Sequence, residues 1–381
     1  MKMKDVYIIN TSSYLPNKVV TNDNIENYMG FINNKASRTK ALILRNNKIK
    51  ERYYAFDMDG NTTHTNAELV ALAVRQLLKK DTSLANRIDL LACGTSSPDQ
   101  MMPSHAVMVH GELPELNSIE VVSPSGVCCS GMHALKYAYL SIKSGEKEMA
   151  VVSGSERLAK TLRSDNYEEE ISILNEISDK PILAFEKDFL RWMLSDGAGA
   201  FLVSDKPNPQ SLSLKIEWVE AISYANTVPV CMYMGADFEN GKFVSYKDYP
   251  IDDLNNKSIF SIKQDAKLLG ENIINLGFEK LKHSCDKHGF DVTQIDHFLP
   301  HLSSFYFEDK IDQALKNVGI VIPKEKWFTN LATVGNVGSG SIYLMVDALF
   351  NSGKLVKGET ILLVVPESSR FSYVFTLLTV V

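Results

Sequence analysis

No stretch of the chain holds the roughly 20 consecutive apolar residues that a membrane-spanning helix requires. The opening "MKMKDVYIINTSSYLP" has a short strand where a secretory leader needs a longer apolar region, so the expected location is the cytoplasm. Positive charge is not in excess either: 40 Lys and Arg stand against 46 Asp and Glu, a net of -6, with no basic run, which argues against nucleic acid or an anionic membrane as main partner. Cysteine is sparse. Five, Cys93, Cys128, Cys129, Cys231 and Cys285, are odd in number and irregular in spacing, which excludes a disulfide framework and leaves reduced thiols. The glycines of "SDGAGAFLV" (Gly197, Gly199) and "GNVGSGS" lack the spacing of a dinucleotide fingerprint or a P-loop, so close packing explains them better. In "HSCDKH", His283 and His288 stand five apart beside the single Cys285, a poor zinc set, and no metal site is expected.

What is present is a plan used twice. "SDKPNPQSLSL", residues 204 to 214, interrupts strand-like sequence with Pro, Asn and Ser, and divides the chain into halves 1–207 and 208–381. In the first half Thr65 and Asn66 can cap the apolar-periodic helix "AELVALAVRQLLKK", and "RIDLLACGTSSP" follows as a strand. In the second half, "LLGENIINLGFEKLKHSCDKHG" leads to "QIDHFLPHLSS". Ile88-Asp89 and Ile295-Asp296 therefore begin comparable strands, and Gly94 matches His301. The next units also correspond. Each reads strand, small-residue turn, helix, Ser-Gly, charged turn, strand, and counting sixteen residues back from Ser144 and Ser352 gives Cys128 and Asn336. Two βαβ-rich halves predict an α/β fold with mostly parallel, buried strands. A pseudo-twofold between them would bring Cys128, Asn336 and His301 together.

Each of the three has chemistry suited to that meeting. Cys128 stands at the turn into a helix, where unpaired N–H groups and the helix dipole lower a thiol pKa, and Ser125, Gly126, Ser130 and Gly131 leave room for a substrate. Cys129 falls one residue further on and is expected to pack in the core. His301 follows the apolar strand "HFLP", placed as a base or a hydrogen-bond donor, and the amide of Asn336 suits a developing oxyanion or enolate. Glu156, ending the strand in "VVSGSERLAK", is a candidate supporting acid or base.

Together these segments resemble the ketoacyl-ACP synthase III group of thiolase-fold condensing enzymes. The likeness runs through "TSSYLPNKVVTN", "ILRNNKIKERYYA", "VCCSGMHAL", "VVSGSERLA", "LSDGAGAFLV", "IDHFLPHLSS" and "GNVGSGSIYL". It implies a thiolase-like fold of two pseudo-repeated halves in five layers, α-β-α-β-α. It implies Cys128 as the acyl-accepting nucleophile, with His301 and Asn336 stabilising the enolate of a second thioester. It further implies a homodimer with Met102 near the interface, and acyl carrier protein or acyl-CoA thioesters as partners. No cofactor is expected beyond the phosphopantetheine those thioesters carry. The sequence departs from the group at "PESSRFSY", where Ser369 replaces a glycine whose N–H completes the acyl oxyanion hole. Either another loop conformation or strain is expected there, and Glu367 and Arg370 add charges to the rim. The usual coenzyme-A tryptophan is missing from "ASRTKALILRNNK". The acidic segment 160–190 and the closing "PESSRFSYVFTLLTVV" are similar to the branch that joins two acyl or β-ketoacyl thioesters into cyclohexanedione or dialkylresorcinol skeletons. The rival expectations are ordinary initiation of fatty-acid synthesis with malonyl-ACP and a non-catalytic ketosynthase-like partner subunit. A thiolase lacks support because "PESSRFSYVFTLL" has no second cysteine, and a papain-like hydrolase because its cysteine signature is absent.

Overall fold

In a computed structural model, which describes residues 3–31, 35–37, 39–79, 81–166 and 190–381, nine strands form one sheet. In the first half they are β1 (Tyr7–Tyr14), β2 (Leu90–Thr95), β3 (Glu120–Val122), β4 (Met149–Glu156) and β5 (Gly197–Ser204). The second half supplies β6 (Leu214–Ser223), β7 (His297–Pro300), β8 (Thr360–Glu367) and β9 (Ser372–Val380). The principal helices are α1 (Asn66–Leu78), α2 (His105–Gly111), α3 (Ser130–Ser144), α4 (Asn275–Lys287), α5 (Glu308–Asn317) and α6 (Ser341–Phe350).

Alternation along the strands decides the layers, because successive side chains point to opposite faces. Leu91, Cys93, Val151 and Leu202 pack with α1 and α2 on one outer face. Leu90, Ala92, Val152 and Val203 face α3 and α6, and so do Leu299, Leu363, Val365 and Val374 from the second half. Phe298, Leu362, Val364 and Phe375 turn the other way, onto α4 and α5. Two helices at the centre, a stretch of sheet on each side and helices outside both make the five layers.

The repeat is visible atom by atom. Strand order is β7-β8-β9-β6-β1-β5-β4-β2-β3, so β2-β4-β5-β1 and β7-β8-β9-β6 follow the same order, and a short antiparallel pairing of β1 with β6 joins them. Asp89 accepts the N–H groups of Glu148 (2.9 Å) and Met149 (3.2 Å) at the start of β4. Asp296 accepts that of Thr360 (2.8 Å) at the start of β8. Each aspartate thus sets the register between neighbouring strands.

One expectation fails. The sheet is mixed: β2–β3, β2–β4 and β7–β8 are parallel, whereas the other five described pairings in it are antiparallel. The last strand of each half returns beside the strand before it in the opposite sense; for β8 and β9 the connection is only the turn 368–371, too short for a parallel crossover.

Thr65 caps α1, exchanging hydrogen bonds with Glu68 in a reciprocal box. Asn66 lies inside the helix instead and holds the Thr95 hydroxyl and the Ser97 carbonyl. Gly199 is a contact glycine, as expected, since a Cβ there would lie 2.4 Å from the Cβ of Tyr343. Gly154, on β4, is tighter: its Cβ would lie 2.2 Å from the carbonyl oxygen of Ser339, just before α6. A methyl group there has to push the two halves apart, so Gly154→Ala is expected to lower the unfolding free energy by about 2–3 kcal/mol. Urea unfolding measures it; a loss under about 0.5 kcal/mol, within the range of ordinary surface substitutions, refutes this account of the interface.

Candidate active site

Two strand-to-helix turns and one strand end meet under the central helices. Cys128 lies two residues before α3, in the turn whose Ser125 bridges to Thr95 at the end of β2. Asn336 opens the corresponding turn, which passes through a 3₁₀ segment (Gly338–Gly340) into α6. His301 follows β7, its backbone N–H held by the Val364 carbonyl at 2.8 Å. All three line one cavity of about 320 Å³, and Glu156 lines it with them.

Hydrogen bonds decide which end of Asn336 faces that space. Its Oδ1 accepts from the Gly338 N–H (3.0 Å) and the Ser341 hydroxyl (3.4 Å), which leaves Nδ2 as the donor for a substrate oxygen. His301 is buried, and neither ring nitrogen has a partner among the described residues. Burial pushes its imidazole down to about 4. At neutral pH it is therefore uncharged, with one N–H and one lone pair.

Two carboxylates support the turns, and they do so crosswise. Glu156 ends β4, and its oxygens accept from the hydroxyls of Ser96 (2.7 Å) and Ser97 (2.6 Å) in its own half. They also accept from the hydroxyl (2.9 Å) and the N–H (3.3 Å) of Ser339 in the other half. Burial raises its pKa, while these hydrogen bonds oppose the rise. Glu367 ends β8 at the equivalent place and reaches back: Oε2 accepts the N–H groups of Val127 (2.9 Å) and Cys129 (3.0 Å), the residues on either side of Cys128. Ser339 and this role of Glu367 are what sequence reading missed. The repeat holds the signal for the second, since both strands run eight residues from their aspartate-held start to a glutamate.

Glu367 also overturns the expectation of a lowered thiol pKa at Cys128. Burial raises it well above the ordinary value, and the charges of Glu367 and Glu156 raise it further. The N–H groups of Val127 and Cys129 that should favour a thiolate are taken by Glu367, and Cys128's own backbone N–H only partly opposes the rise. Cys129 packs fully buried, its Sγ 3.3 Å from the Val365 carbonyl.

Ser369 does not complete the rim as expected. Its hydroxyl donates to Glu367 Oε1 (2.9 Å), its carbonyl takes the N–H groups of Cys231 and Met232, and the neighbouring Ser368 is the residue that lines the cavity. The positive φ of this turn falls on Phe371 (56°), not on Ser369. The strain expected of a serine at 369 is therefore absent, and the left-handed residue sits two positions on. Met102 lies on the surface, 85% exposed, outside the cavity lining. In "HSCDKH", Cys285 is buried among apolar side chains, and His288 stacks on Trp218 and bonds Glu220. The acidic stretch noted above lies, for residues 167–189, outside the described residues.

Beyond its polar end the cavity is apolar. It runs into the outer core of the second half between Ile273, Phe278, Phe307, Ile311 and Phe375. Such a space suits an alkyl chain.

Comparison with known proteins agrees with this geometry. Residues 285–366 match the family profile described as 3-oxoacyl-[acyl-carrier-protein (ACP)] synthase III C terminal, and residues 57–183 match the thiolase N-terminal domain. The chain is 25% identical over 362 residues to a beta-ketoacyl-[acyl-carrier-protein] synthase III of Clostridium perfringens, covering 95% of each. It is 25% identical over 364 residues to beta-ketoacyl-[acyl-carrier-protein] synthase III 1 of Deinococcus radiodurans, covering 95% of this chain and 90% of the other. Among solved structures it is similar in fold to AbyA1, a tetronic acid condensing enzyme (TM-score 0.76, 19% identity, 98% of this chain and 99% of the other). It is also similar to a single-residue variant of OleA from Xanthomonas campestris (TM-score 0.74, 19% identity, 99% and 97%).

The neutrality of His301 has a measurable sign. With a folded value of about 4 and an unfolded value near 6.5, its contribution to stability is complete above about pH 6.5 and is lost as pH falls towards 4, where the unfolded chain gains a proton that the fold refuses. The loss amounts to about 3 kcal/mol. His301→Gln is expected to flatten the unfolding free energy between pH 7 and 4 by that amount; identical slopes in the two proteins refute the assignment.

Proposed function

The chain is a condensing ketosynthase of the 3-oxoacyl-ACP synthase III type, within the thiolase superfamily, and on that premise we propose that it joins two thioesters through an acyl-Cys128 intermediate, the second being a β-ketoacyl thioester whose product goes on to ring closure. The observation that carries this reading is the meeting of Cys128, His301 and Asn336 at the polar end of one apolar cavity.

The steps follow from the groups present. Cys128 Sγ attacks the first thioester's carbonyl and keeps the acyl group, so one hard condensation becomes two easier steps. The second thioester then presents a carbon flanked by two carbonyls. The lone pair of neutral His301 takes its proton, and the resulting imidazolium and Asn336 Nδ2 hold the enolate oxygen while the carbanion attacks the acyl-Cys128 carbonyl; the acyl–Sγ bond then breaks, and the imidazolium returns its proton to the departing Cys128 thiolate. Glu156, already accepting from three serines, positions the Asn336 turn and leaves the base role to His301.

Charge supports a neutral second substrate. Glu156 and Glu367 place two buried carboxyl groups at the reacting end, and none of the described residues lining the cavity is Lys or Arg. A malonyl carboxylate entering there meets like charge without a partner, whereas a β-ketoacyl group does not. The ring-forming chemistry in the name of AbyA1 adds support. The names of the curated relatives favour the rival, initiation of fatty-acid synthesis with malonyl-ACP.

Acyl carrier protein or coenzyme A is taken to deliver the thioesters, with their own phosphopantetheine as the only prosthetic group. The enzyme is taken to work as a cytoplasmic homodimer; exposed Met101 and Met102 give such an interface apolar surface, and no described helix is long and apolar enough to cross a membrane.

The test pairs acyl and β-ketoacyl thioesters, carried on CoA or on carrier protein, and identifies released products by mass. Ring products from paired β-ketoacyl thioesters are expected. Carbon dioxide release from malonyl-ACP, with no product from β-ketoacyl thioesters, sinks the ring-forming proposal. Intact mass is expected to show an acyl adduct lost in Cys128→Ala, and its absence from the wild-type protein identifies a non-catalytic partner subunit. Asn336→Ala should retain the adduct while kcat falls about 10²- to 10³-fold.

A further inference from the structure

Glu367 stands where the nucleophile would otherwise find its stabilising dipole. The carboxylate accepts from Val127 and Cys129, bonds the Ser369 hydroxyl with its other oxygen, and is itself buried. Neither flanking N–H is left to a thiolate on Cys128, and a negative charge takes their place. We propose that Glu367 is a positioning residue for acylation: by occupying the two N–H groups beside Cys128 it keeps the nucleophile a thiol until a thioester is bound, and His301 then takes the proton. The inference rests on the reading of Cys128 as nucleophile.

The proton balance closes within the site. As Sγ forms its bond to the thioester carbonyl carbon, the thiol proton passes to the lone pair of His301. The carbonyl–sulfur bond to pantetheine then breaks, and the imidazolium returns that proton to the departing thiolate. His301 is neutral again for the second substrate. A permanent thiolate would react with any passing electrophile or oxidant; a thiol whose deprotonation requires bound substrate does not.

Among the described residues, the other titratable groups near this pair are Glu156 at the end of β4, His301 after β7, Tyr373 on β9, and Cys129 and His133 on the nucleophile's own side. Burial and Glu367 both raise the thiol pKa of Cys128, and Glu156 adds to them. The carboxylate of Glu367 also acts on His133, which burial lowers and which lies one turn into α3. Glu156 and His301 are left unchanged in the test, so a shift on altering Glu367 is its own.

The experiment follows alkylation of Cys128 by iodoacetamide across pH 6 to 9.5, read by peptide mass, with thermal unfolding as the fold control. In the wild-type protein the rate is expected to climb through pH 9 without a plateau; a plateau at or below pH 8 overturns the proposal whatever the variants do. Glu367→Gln keeps one oxygen to accept the backbone N–H groups but removes the charge. It is expected to react about 3- to 10-fold faster at pH 7.5, since a gain in thiolate fraction is partly offset by lower nucleophilicity. An unchanged or slower rate in a Glu367→Gln protein with wild-type unfolding temperature overturns the proposal. Alkylation needs no thioester substrate, so these outcomes stand apart from the acyl-adduct assay. A missing adduct defeats the reading of Cys128 as nucleophile, whereas an early plateau defeats only the role of Glu367.

Discussion

Two buried carboxylates, each at the end of an equivalent strand and each reaching into the other half, are the constraint on which the site depends. Glu156 holds the turn of Asn336 through Ser339, and Glu367 holds the turn of Cys128 through Val127 and Cys129. A buried carboxylate is tolerable only when hydrogen-bonded, and here the donors are supplied by turns that themselves need acceptors at the start of a helix. Each side satisfies the other's deficit. Because the bonds cross between halves, neither turn can move without uncovering a charge, and the relative position of Cys128 and Asn336 becomes a property of the whole fold.

Close backbone packing makes that crossing possible. Gly154 and Gly131 let the Ser339 carbonyl approach α3 and β4 to distances that no Cβ would permit. The Ser339 hydroxyl then reaches Glu156 and the Ser155 carbonyl together. The close packing expected of the small-residue run "GNVGSGS" is found at this interface. The cavity opens immediately beside it, where larger apolar side chains resume.

Much of this was legible beforehand, for a physical reason: a duplicated fold repeats its register, and register is written in spacing. Asp89 and Asp296 could be paired because each follows an isoleucine at the start of an equivalent strand, and Cys128 and Asn336 because each lies sixteen residues before the serine of a Ser-Gly pair. Strand direction was less legible, since an apolar eight-residue strand reads the same in a parallel or an antiparallel sheet; only the four-residue turn after Glu367 pointed to a return. The partners of Glu367 were beyond local reading altogether. They lie about 240 positions away in sequence, and nothing at residues 123–138 distinguishes an N–H that awaits a thiolate from one already bound to a carboxylate.

The same arrangement explains why an uncharged histidine is useful here. A resting imidazolium would have no lone pair left for a proton. Burial keeps His301 neutral. Transfer of a proton from Cys128 to His301 is then opposed at the sulfur, where burial and the carboxylates disfavour the new charge, and at the imidazole, where burial disfavours the cation. The balance tips only when a bound carbonyl draws charge away from the sulfur as the new bond forms. Reactivity is thereby tied to the presence of substrate, in a cavity whose remaining walls are too apolar to stabilise a free ion.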